Sequence, residues 1–189
     1  MTSKWVADIP GLSFHLNQVH SDERGWFARF LELETSPPDD HYLCIALSKN
    51  PITGTLRGLH FQNAPFAEEK AIMCIRGSIF EVFVDLRRDY ESFGKWTHRI
   101  MMESDSNTAF VPKGVAHGYQ TLEENTWLLY GLTATFSQSH AQRISYKDST
   151  LAIEWPEEIT RVSEADTQGL SWLEFEDQDF RFDNDMGKA

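Results

Sequence analysis

An all-β sandwich or barrel is the fold this sequence predicts, on three observations. Short runs rich in β-branched and aromatic residues follow one another along the middle of the chain, turn residues separate them, and a helical apolar period is weak nearly everywhere. Strand succeeding strand without helices between them leaves a sandwich or barrel as the way to bury one face of each. A length of 189 residues suits one well-filled core, and 41% apolar content with 13 Phe and 6 Trp supplies the side chains to fill it. One domain over 1–189 is expected, with the N-terminal segment and the 174–189 tail peripheral or docked on a partner.

In chain order, Leu56–Gln62 alternates, with Arg57 and Leu59 expected on one face and Gly58 and His60 on the other. Lys70–Arg76 and Ser78–Asp85 read as two strands, and Gly77 between them permits the positive φ of a tight hairpin. The polar stretch from Asp85 to Gly94 makes a longer connection to Trp96–Met102. Thr108–Val111 and Thr126–Leu132 are further strands, and Pro112-Lys-Gly-Val-Ala-His117 is a turn that delivers His117 to a strand's concave face. Two short helices are expected, at 154–158 and at Ser163–Asp166, where Ser163 can cap and the acids suit a helix N-terminus.

The formal net charge of -12 repels polyanions, so neither a nucleic-acid nor an anionic-membrane partner is expected. An anionic small ligand would need Arg and Lys gathered locally. Cys44 and Cys74 are too few for a disulfide scaffold or a zinc site and are expected as buried thiols. The N-terminus lacks an apolar signal core, and no apolar run reaches membrane-spanning length, so a cytoplasmic protein is expected.

The chemistry-bearing residues are His60, Lys70, His117 and Tyr130. Taken singly, Tyr130 reads as a core aromatic, Lys70 as a strand-end charge, Asp166 as a first-turn helix acid and Arg24 as half of a surface ion pair. Together and in order they read differently. Removing a proton beside a ketone requires a base, a cation at the enolate oxygen and a proton donor on the opposite ring face, and His60, Lys70 and Tyr130 are one of each. A carboxylate behind the histidine would fix its tautomer and favour the imidazolium that forms. For a metal, His60 is followed by Phe61 and Gln62 where a His-x-His pair would be needed, which leaves at most two histidine ligands, so no metal is expected.

Arg57-Gly-Leu-His-Phe-Gln62, Lys70, Gly77-Ser-Ile-Phe-Glu-Val-Phe-Val-Asp-Leu-Arg-Arg88, Phe93-Gly-Lys-Trp96, Val111-Pro-Lys-Gly-Val-Ala-His-Gly118, Leu129-Tyr130 and Ile153-Glu-Trp-Pro156 resemble the dTDP-4-dehydrorhamnose 3,5-epimerase family. Asp22-Glu-Arg-Gly-Trp-Phe27 matches too, so the likeness runs from there through Asp166. The resemblance implies a jelly-roll, cupin-like barrel, a homodimer, and action on a nucleotide-diphosphate-linked 4-keto-6-deoxyhexose without metal or organic cofactor. It maps the base onto His60, the aspartate that orients it onto Asp166, and the acid onto Tyr130. Lys70 falls near the keto oxygen, Arg57 and His117 hold the charged substrate, and Arg24 and Phe27 bind nucleotide in part across the dimer. Glu81 stands where the family has a barrel-lining aspartate, and Gln62 closes the first motif among the substrate-binding positions.

The departures fall around the nucleotide and the second proton transfer. Cys44 and Ala46 occupy positions where the family has amides, Arg29 replaces a glutamate, and Ala165 replaces a lysine. Gly131 follows the acid where a lysine is usual, and Phe136 replaces a second tyrosine. These leave open a C3-only or C5-only epimerase on a CDP- or GDP-linked sugar. A metal-dependent cupin oxygenase or isomerase and a non-catalytic nucleotide-sugar binding cupin are the readings from other classes.

Overall fold

The computed structural model describes residues 4–6, 8–23, 25–28 and 44–183. The expected all-β jelly roll is the architecture found. Among the described residues one sheet has six strands in the order β1 (Lys4–Val6), β2 (Ser13–Leu16), β10 (Asn107–Val111), β7 (Lys70–Arg76), β12 (Thr126–Leu132) and β5 (Cys44–Asn50). The facing sheet has five, in the order β13 (Ala141–Arg143), β6 (Leu56–Gln62), β11 (Val115–Thr121), β8 (Ser78–Asp85) and β9 (Trp96–Met102). These strands pair antiparallel among the described residues, and β3 (Val19–Asp22) and β4 (Gly25–Ala28) form a separate hairpin.

The inner faces close on a core that includes Phe14, Ile72, Ile79, Phe83, Leu128 and Tyr119. Strand β8 is buried along its whole length, because Phe80, Val82 and Val84 on its outer face are covered as well. Their cover comes from the C-terminal segment: Ile144, Leu151, Trp172 and Phe175 pack there, with Phe180 and Phe182 beside them. The aromatic tail, as far as it is described, therefore lies on its own barrel. It begins in α2 (Trp172–Glu176), whose capping box pairs Ser171 with Glu174.

The helix expected at Ser163–Asp166 forms as α1 (Glu164–Thr167), with Ser163 as its cap. No helix forms at 154–158. There Trp155 Nε1 donates to the Tyr146 carbonyl at 2.8 Å and Gln120 brackets Glu157 with two bonds, so tertiary partners hold the segment out of a helix. Cys74 is buried and its thiol is pushed up to about 12, chiefly by burial. Cys44, by contrast, is exposed, because it opens an edge strand. No helix among the described residues is long and apolar enough to cross a membrane.

Candidate active site

Strict alternation would send Arg57 and His60 to opposite faces of β6. The structure instead pairs His60 with His117 and Arg57 with Tyr119, so two residues of β6, Gly58 and Leu59, stand against the single Gly118 of β11. This bulge resets the alternation and turns both side chains toward the same concave face. Gly58 is the residue that permits it: its φ is +128°, and a Cβ there would run into Gly118.

His60 Nε2 lies 2.7 Å from Asp166 Oδ1, and the same oxygen accepts from Arg143 Nε at 3.0 Å. The Asp166 side chain is buried, whereas that of His60 is 36% exposed. Burial pushes the Asp166 carboxyl up, but the hydrogen bond and charge of His60, with bonds from Ser163 and the Gly58 N–H, carry it below its ordinary value. An ionised carboxylate only accepts hydrogen bonds, so the proton of a neutral His60 sits on Nε2 and the Nδ1 lone pair is left for chemistry.

Beyond His60 the rings form a row. His117 stands 6.4 Å from His60 and 6.4 Å from Tyr130, centroid to centroid. His117 Nδ1 bonds Glu81 Oε1 at 2.7 Å, and both side chains are buried. Burial, followed by the Lys70 charge and then that of His60, holds His117 well below the usual imidazole range. Burial likewise pushes Glu81 well above the usual carboxyl range, against the opposing pull of Lys70. Neither partner carries its charge easily, and the short bond is shared by two near-neutral groups. Glu81 Oε2 is buried and has no hydrogen-bond partner among the described residues.

Lys70 opens β7 on the inward face shared with Ile72 and Cys74, and it is 7% exposed. Its Nζ lies 3.5 Å from Glu68 Oε1, an acid two residues earlier. Burial lowers the Lys70 pKa, and Glu68 and Glu81 offset part of the drop. Tyr130, partly buried on β12, is pushed well above the usual phenol range by burial first and Tyr119 second, which keeps its proton in place at neutral pH. In a chain of net charge -12, Arg57 is exposed and bonded to Asn50, and Lys70 is buried beside Glu68.

Of the other residues singled out in the sequence, Gln62 is buried with its amide engaged by protein. Its Nε2 donates to the Phe66 and Thr135 carbonyls and its Oε1 accepts from Ser137 N–H, so it ties two loops together. Phe27 lies on the β3–β4 hairpin, 58% exposed, and not among the buried groups. Arg24 and Arg29 lie outside the described residues. Ala46 pairs with Tyr130 and Cys44 with Leu132, so short side chains line β5 beside the phenol. Phe136 is 73% exposed. Among the described residues, no group of three or more His, Cys, Asp or Glu is placed to hold a metal ion.

Three participants escaped the sequence reading. Arg143 sits on a three-residue strand directly across from His60, with no local pattern to mark it. Glu68 carried a usable signal, an acid two positions before the lysine on an extended segment. Asn50, the third, accepts from Arg57 Nε at 2.9 Å and is fully buried.

A model of dTDP-4-dehydrorhamnose 3,5-epimerase matches residues 6–174. The chain belongs to the dTDP-4-dehydrorhamnose 3,5-epimerase family. A family enzyme of Sinorhizobium fredii is 39% identical over 64% of this chain and 63% of its own length. The Bacillus anthracis epimerase, solved with TDP and PPi bound, is 30% identical with a TM-score of 0.82 over 89% of this chain and 99% of that one. A Legionella pneumophila relative solved with dTDP-4-keto-L-rhamnose is 27% identical, with a TM-score of 0.84 over 89% of this chain and 92% of that one. The family match ends at 174, so Phe175, Phe180 and Phe182 extend the fold beyond it.

Proposed function

We propose that this family member epimerises a nucleotide-diphosphate-linked 4-keto-6-deoxyhexose by removing and returning a proton beside the ketone, as a cytoplasmic homodimer built from one jelly-roll domain per chain. His60 Nδ1 takes the proton from the ring carbon. Lys70 faces the keto oxygen and stabilises the enolate, and Tyr130 returns a proton to the other face. The carbon–hydrogen electron pair moves into the enolate, the proton goes to His60, and the phenol proton forms the new bond. Asp166 holds His60 in the productive tautomer and favours the imidazolium; Arg143 holds the Asp166 carboxylate in place.

Arg57 and neutral His117 bind the substrate at the barrel mouth, Glu81 orients His117, and Arg24 and Phe27 reach the nucleotide, in part across the dimer. Gln62 supports the site by tying its loops. No step above calls for a metal or an organic cofactor. The observation that carries the reading is the buried acid behind a solvent-facing imidazole, with Lys70 and Tyr130 converging on the same barrel interior.

The test is incubation of the protein with dTDP-4-keto-6-deoxyglucose in deuterated water, followed by NMR. Solvent deuterium should enter C3, C5 or both, and the labelled positions count the centres it acts on. Absence of label with the dTDP-, CDP- and GDP-linked sugars alike contradicts the proposal.

A further inference from the structure

Lys70 is a buried cation, and the steps above leave open what holds its charge in the barrel. Its partners across the sheet are apolar, Val111 on β10 and Leu132 on β12. The titratable groups that act on its ammonium are Glu68, just ahead of its own strand, Glu81 on β8 and His117 on β11. Glu68 is in direct contact: its Oε1 lies 3.5 Å from Lys70 Nζ, and each side chain is only 9% exposed. Two bonds fix the backbone between them. Glu69 N–H donates to Thr133 Oγ1 at 2.8 Å, and Thr133 N–H donates to the Glu69 carbonyl at 3.2 Å. The Glu69 residue itself lines a cavity with Arg87, Arg88 and Lys113, and Lys70 is not part of that lining.

A buried ammonium without a counter-charge gives up its proton, and a neutral amine stabilises an enolate oxygen poorly. Glu81 is a weak counter-charge, because its Oε1 is committed to His117 and burial favours its protonated form. That leaves Glu68. Burial lowers the Lys70 pKa, and the charge and hydrogen bond of Glu68 offset the drop ahead of Glu81. A lysine carries three donors, so with Glu68 as its partner among the described residues Nζ keeps N–H groups for the oxygen of a bound sugar.

We propose that Glu68 is a positioning residue for the enolate-stabilising cation: its carboxylate is the counter-charge that holds the Lys70 ammonium in the barrel interior, where the keto oxygen becomes negative. Glu68 touches no reacting atom and acts through Lys70. The inference rests on the assignment of Lys70 to the keto oxygen, made in the preceding subsection.

Glu68→Gln tests it, since the amide keeps the shape and removes the charge. The readout is the pH profile of kcat/KM for deuterium exchange into dTDP-4-keto-6-deoxyglucose. The alkaline limb, where Lys70 loses its proton, should move about 1 to 3 pH units lower, the range for loss of an opposite charge in contact, while the acid limb stays. Glu68→Asp, which keeps the charge on a shorter arm, should move the limb roughly half as far or less. The Lys70→Met/Glu68→Gln double variant should match Lys70→Met within about threefold, because a residue that acts through the ammonium adds nothing once the ammonium is gone. An alkaline limb that Glu68→Gln leaves in place, or a double variant whose loss is the product of the two single losses, overturns the inference. If Glu68→Gln does not fold, thermal melts of Lys70→Met and the double variant carry the test: the double variant should melt higher at about pH 8, since it removes an unpaired buried acid, and an equal or lower Tm overturns the inference. Absence of exchange in the unmodified protein removes the epimerase reading and this inference with it, whereas normal exchange with an unmoved limb removes this inference alone.

Discussion

Asp166→Asn perturbs the candidate base without touching the cavity. Asp166 Oδ1 receives two charge-assisted bonds, from His60 Nε2 at 2.7 Å and Arg143 Nε at 3.0 Å, on a side chain only 4% exposed. The amide keeps one oxygen, which in the Oδ1 position still accepts from both His60 Nε2 and Arg143 Nε, so the tautomer is retained and the loss is that of the negative charge favouring the imidazolium. Turning such charge-assisted bonds into neutral ones costs about 1–3 kcal/mol, or roughly 5- to 150-fold in kcat/KM if felt wholly in the transition state. NMR of solvent deuterium incorporation, with circular dichroism to verify folding, reads it. A folded Asp166→Asn protein within about threefold of the unmodified kcat/KM would refute the role of the Asp166 charge behind the base.

Lys70→Met keeps the chain length and removes the ammonium, so kcat should fall about 10²- to 10³-fold with KM little changed, as measured by steady-state assay. Gly58→Ala places a methyl against Gly118 at a φ of +128°, and the His60 backbone must shift to relieve it; activity should drop about 10²-fold or more, with lowered Tm by calorimetry. Glu81→Gln changes the pH dependence of stability. In the folded protein Glu81 is raised, so it holds a proton that the unfolded chain releases above 4.5, a contribution present in acid and lost as pH rises through the folded value. His117 is lowered from 6.5, so its contribution runs the other way and is lost as pH falls below that value. The two oppose each other between these ordinary values, and without Glu81 the Tm should decline more steeply from pH 7 to about 5 than in the unmodified protein. Equal slopes in a thermal melt series contradict the pairing.

Much of the fold was legible because β6, β7, β8, β9 and β12 each carry their own period-two or buried-strand pattern and their own turn residues. Gly77 and Gly114 do take positive φ where turns were read, at 74° and 77°. What escaped was set by tertiary partners. Trp155 and Gln120 override a short helical pattern, and the β6 bulge depends on Gly118 from another strand, so alternation alone misplaces Arg57. For the site, His60, Lys70, His117, Tyr130, Glu81 and Asp166 were readable as residue types in an ordered motif set, and the fold brings them together. Arg143 and Asn50 were not readable, since each is defined by the residue it meets across a sheet rather than by its neighbours in sequence.

The central claim is that His60 and Tyr130 serve opposite faces of one sugar ring, and the partition between exchange and inversion tests it most directly. In deuterated water, His60→Ala should lose deuterium incorporation and inversion together, while Tyr130→Phe should keep incorporating deuterium and yield little inverted product. Inversion that survives Tyr130→Phe at full rate, or exchange that survives His60→Ala, would contradict the assignment.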